Sequence, residues 1–160
     1  PDSDDARIYL GLVHYARGQR LLAKKQFEHV LQRSTDDVMR GYALSNLGNI
    51  RLDEGDAEGA VALLLQLVES PAIKKQPRLS AAVFNLALAY GLQGDFGRSL
   101  HWFERLHADA PHRRRWVAGE LARRSHFVHL LHTHPAAKRL AEALPVWFPG
   151  VRVADAGACG

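Results

Sequence analysis

One spacing pattern occurs three times along the chain and leaves few folds open to it. Residues 44–72 read LSNLGNIRLDEGDAEGAVALLLQLVESPA. They hold a Leu-Gly pair (Leu47, Gly48), a Gly-Asp turn seven residues on (Gly55, Asp56) and a small residue, Ala60, five beyond the turn glycine. Large apolar residues follow at Leu64 and Leu67. Two amphipathic helices joined by a tight turn account for this order. Gly48 lets the first helix approach the second, with Ala60 expected on the facing side. Gly55 supplies the positive φ that ends the first helix, and Asp56 caps the second. One such hairpin cannot bury its own apolar face, so it needs copies of itself alongside.

The copies are present. Upstream, Leu10, Gly11, Gly18, Ala23, Phe27 and Val30 keep the same internal spacing. Downstream, Leu86, Ala87, Gly94, Asp95, Ser99, Phe103 and Leu106 keep it again, closed by Pro111. The turn glycines Gly18, Gly55 and Gly94 lie 37 and 39 residues apart. In these residues the chain resembles the tetratricopeptide repeat family, whose unit is a helix–turn–helix of about 34 residues. The resemblance covers about residues 4–111. It implies an all-α fold: a right-handed superhelical solenoid of three such repeats (about 4–35, 41–74 and 80–111) plus C-terminal capping helices. The expected repeat domain is 1–144, with the cap at 112–144 and a tail at 145–160, disordered after Arg152.

Within the cap, residues 112–132 suggest one long helix with Trp116, Leu121, Phe127, Val128, Leu130 and Leu131 as its apolar content. A short helix is expected from Pro135 to Leu144, with Leu140 and Ala143 inward. Pro145 and Pro149 argue against regular helix at 145–150, and Trp147 and Phe148 are expected to dock on preceding helices. Pro77 suits the first turn of the helix that opens the third repeat.

At 47% apolar and 24% charged residues the composition is that of a soluble globular domain. No apolar run approaches the length needed to cross a bilayer, and no signal segment opens the chain. The first residue is Pro1 instead of Met, which suggests a processed or excised piece. The single cysteine, Cys159, excludes an internal disulfide framework and is compatible with a reducing, cytoplasmic setting. Charge is uneven: residues 1–72 sum to −3 and residues 73–160 to +7. Arg113, Arg114, Arg115, Arg123 and Arg124 form the densest basic stretch, able to steer an acidic partner.

The resemblance implies that the first helix of each repeat lines a concave face that binds an extended peptide or helix of a partner protein. Ile8, Leu12 and Tyr15 are the expected groove residues of the first repeat. Ser45, Asn46, Asn49 and Leu52 are those of the second, and Phe84, Asn85 and Leu88 those of the third. Asn46 and Asn85 occupy equivalent positions, one residue before Leu47 and Leu86. Two readings of them stand. An in-register pair of amides can hold a peptide backbone without reading its side chains. Alternatively, each amide bonds within its own helix or to water. Some family members grip a C-terminal carboxylate with Lys, Asn and Arg. Here Ile8, Leu12, Ala81 and Asn85 stand at four of those positions and only Asn46 keeps the type, so an apolar or amphipathic ligand is the better expectation.

Four histidines, His126, His129, His132 and His134, fall within nine residues. His126 and His129 share a helical face, while His132 points roughly 240° away from His126. Without a converging third ligand no metal is expected, and no cofactor. No serine sits in a nucleophile context, and the carboxylates Asp53, Glu54, Asp56 and Glu58 surround a helix–helix turn, so no catalysis is expected. The expected function is a protein-interaction module, with nucleic acid or an acidic partner on the basic C-terminal helix as the alternative. Nucleic acid is the weaker of these, because Arg114, Arg115 and Arg123 spread around the helix axis instead of forming a stripe.

Overall fold

Aspartates set the helix starts in the computed structural model, which describes residues 3–153. Asp36 accepts from the amides of Val38 (2.8 Å) and Met39 (3.1 Å), Asp56 from Gly59 (2.8 Å) and Asp95 from Arg98 (3.1 Å). Each thereby satisfies amides that the first helical turn leaves without carbonyl partners. The turn glycines Gly18, Gly55 and Gly94 have φ of 74°, 77° and 81°, the left-handed conformation expected of them. Among the described residues the elements are ten α-helices and three short 3-10 turns, and no strand occurs.

The chain clusters into two compact units, Pro1–Asn85 and Leu86–Gly160. The first holds α1 (Asp4–Ala16), α2 (Arg20–Arg33), α3 (Asp37–Asp53), α4 (Ala57–Val68) and α5 (Ala72–Lys75). It also holds a 3-10 turn, Pro77–Ser80, and the start of α6 (Ala81–Leu92). Helix α1 packs on α2, α2 on α3 and α3 on α4, and α1 also touches α3. Ile8, Ala23, Phe27, Val30, Ala43, Leu47 and Ile50 form one buried cluster. Gly48 does come close to its partner helix, but the side chain it meets is Leu64 and not Ala60: a Cβ there would lie 2.6 Å from Leu64 Cδ2. The residues that lengthen the spacing between the second and third turn glycines are accommodated by α5 and the Pro77–Ser80 turn.

The second unit holds the rest of α6, α7 (Phe96–Asp109), α8 (Arg114–Ala122), α9 (Ser125–Thr133) and α10 (Lys138–Trp147). The 3-10 turns Pro111–Arg113 and Pro135–Ala137 open α8 and α10. Its core is aromatic: the Phe103 ring lies 6.1 Å from both Phe127 and Phe148. Ser99, fully buried, donates to the Ala87 carbonyl at 2.7 Å and so ties α7 to α6.

Three local expectations need correction. Residues 112–132 are not one helix; the chain turns at Arg123 and Arg124 between α8 and α9. A single helix would separate the inward pair Val117 and Leu121 from the inward pair Phe127 and Leu131. Leu121 and Phe127 would then point roughly 120° apart, and the turn lets both pairs be buried. Trp116 is correspondingly exposed (37%), and Val117 takes the inward place. Helix α10 runs through Pro145 to Trp147, past the expected end at Leu144. The proline gives up only one backbone bond, and continuing the helix brings Leu144 and Phe148, four apart, into the core. The two aromatics do dock: Trp147 stacks on His107 at 6.0 Å and Phe148 is fully buried. The disorder expected after Arg152 concerns residues that, Val153 apart, lie outside the described ones, as does Cys159.

Candidate functional site

The expected groove residues divide by burial. Ile8 (8% exposed), Phe84, Asn85 and Leu88 are buried, Leu88 in the second unit, so their side chains offer little surface. Leu12 is exposed, and Tyr15, Ser45, Asn46, Asn49 and Leu52 are half-buried. These six lie on α1 and α3, the two first helices that touch within the first unit. The Tyr15 hydroxyl donates to the Asp53 carboxylate and joins the C-terminal ends of the two helices.

The equivalent amides behave differently. Asn46 Nδ2 donates to the Tyr42 carbonyl of its own helix at 2.8 Å. Asn85 Nδ2 donates instead to Asn49 Oδ1 of α3 at 2.6 Å, a bond within the first unit. A buried amide left unpaired is costly, so Asn85 is held by structural need. Asn46 Oδ1 and Asn49 Nδ2, three residues apart on α3, have no further partner among the described residues.

Several large apolar side chains of the first two helices are exposed, Leu10 of the repeat pattern among them. Tyr9 (70%), Leu10 (42%), Leu21 (75%) and Leu22 (42%) are exposed on α1 and α2, whereas Leu47 and Leu86, in Leu10's place in later repeats, are buried. Ala23, the small residue of the repeat pattern, is fully buried next to exposed Leu22. The signal available in the sequence was α1 itself, apolar on two faces: Ile8 and Gly11 on one, Tyr9 and Val13 on the other.

At the basic stretch, Arg123 and Arg124 share Glu120, at 3.3 and 3.7 Å. Arg114 and Arg115 are exposed. The Arg113 guanidinium lies over the Trp116 ring, 5.0 Å from its centroid, and partial burial pushes its pKa below the usual value. Of the five arginines, two are thus paired with one carboxylate and one lies over an aromatic face.

Among the described residues no group of three or more His, Cys, Asp or Glu stands where it could hold a metal ion. No described helix is long and apolar enough to cross a membrane. No protein-family model matches the chain, and no curated protein matches it significantly.

Proposed function

We propose that the chain is a tetratricopeptide-like protein-interaction module, without catalysis of its own, that holds a partner's extended peptide or helix on the α1–α3 face. The observation that carries this is the half-buried pair Asn46 and Asn49. With one oxygen bonded to Asn85 and one amide nitrogen bonded to Tyr42, the pair retains an acceptor and a donor, the complement of a single peptide group. Leu12, Leu52 and Tyr15 add apolar contact, which favours an apolar or amphipathic segment over a highly charged one. A cytoplasmic setting is part of the same reading.

A pull-down with the full chain followed by mass spectrometry identifies the partner, and its binding segment can then be titrated as a peptide. Asn46→Ala combined with Asn49→Ala should weaken that peptide tenfold or more at an almost unchanged melting temperature. Wild-type affinity in the double variant removes the α1–α3 face as the site. A second reading, an acidic protein on the basic end, is favoured by exposed Arg114 and Arg115 next to Trp116. It predicts an affinity that falls with salt and with Arg114→Ala and Arg115→Ala. Nucleic acid is disfavoured by the pairing of Arg123 and Arg124 with Glu120.

A further inference from the structure

We propose that the second unit carries a binding cavity for a small organic carboxylate with an apolar body, built by α8, α9 and the segment that follows α10. The cavity is a cleft open to solvent, with a volume of about 640 Å³ and exposed Ala122, Ser125, His129 and Arg152 in its lining. It exists because α8 presents Ala118 and Ala122 to it, one turn apart and too small to fill the space. Leu121, Val128 and Val151 supply apolar wall. The sequence spacing grouped His126 with His129, but the structure pairs His129 with His132 at this cavity and leaves His126 outside it.

The polar part of the lining is one-sided. Its polar lining residues are Ser125, His129, His132 and Arg152, and no Asp or Glu is among them. No carboxylate among the described residues is paired with Arg152. Two imidazoles lack the third ligand a metal ion needs, and the Arg152 cation beside them disfavours one, whereas an anion is attracted by the guanidinium and can accept hydrogen bonds from the Ser125 hydroxyl and an imidazole N–H.

The backbone leading to Arg152 is ordered by the turn before it, and the Arg152 side chain itself is exposed. Gly150, at φ 103°, reverses the chain after fully buried Phe148, and the Val151 amide donates to the Phe148 carbonyl at 3.2 Å. A carboxylate matches the fork of the Arg152 guanidinium with two parallel hydrogen bonds. The apolar wall and the cationic rim together select a molecule with one carboxylate on an aromatic or short aliphatic body.

The test is a titration of the full isotope-labelled chain with 2-naphthoate, followed by NMR, with neutral 2-naphthamide as the control. Saturable shifts are expected at the methyls of Val128 and Val151 and the ring protons of His129 and His132. The carboxylate should bind at least tenfold more tightly than the amide. Arg152→Ala should remove most of that preference and Arg152→Lys restore part of it. Ala122→Phe, at an exposed position, should block binding by filling the cavity while the melting temperature holds. Equal binding of the two probes overturns the proposal, as do shifts centred on Tyr9 and Leu21 or an Arg152→Ala variant that binds as the wild type does.

Discussion

At Gly11 the backbone of α1 comes so close to the Phe27 ring that an added Cβ would lie 2.5 Å from Cε1. Phe27 is fully buried and its ring has nowhere to move. Gly11→Ala should therefore lose about 1–2 kcal/mol in chemical denaturation, since overpacking outweighs the gain in helix propensity. Gly119, inside α8, meets nothing within 4 Å. Gly119→Ala should raise stability by about 0.5–1 kcal/mol through the unfolded chain's lost freedom. The opposite signs, measured side by side, separate close approach from simple helix propensity. Asn46 and Asn85 show the limit of residue-level reading. Their equivalence was legible in the spacing. Their different partners were not, because Asn49 lies 36 residues from Asn85 and meets it only in the folded first unit.

Among the elements, the capping aspartates were the most legible, because a cap is a contact between residues two or three apart. Asp56→Ala should cost about 1 kcal/mol, read as a lowered denaturation midpoint at constant slope. An unchanged midpoint would mean that the Gly59 amide finds water as good a partner. The turn within residues 112–132 was also encoded, in the six-residue step between Leu121 and Phe127, but composition alone reads the stretch as continuous helix. What breaks it is burial of both apolar pairs in one core. The end of α10 was misjudged for a related reason. Proline's local preference is against helix, and the burial of Leu144 and Phe148 overrides it.

At the scale of the molecule the second unit is closed by an aromatic corner of Phe103, His107, Trp147 and Phe148. Phe148→Ala should lose about 3 kcal/mol or more, seen as a large drop in the thermal midpoint, because it empties a fully buried site where the end of α10 meets Phe103 and His107 of α7. A small drop would show that the corner only covers a core complete without it. Sequence by itself determined the all-α class, the hairpin turns, the caps and the excess positive charge of the C-terminal half. All of these rest on short-range periodicity, on glycine's access to positive φ and on counting charges. Tertiary structure alone decided which of the in-register groove residues keep accessible surface and that His129, His132 and Arg152 share a cavity. Those outcomes depend on which side chain a neighbouring helix covers, and spacing along one chain carries no record of that.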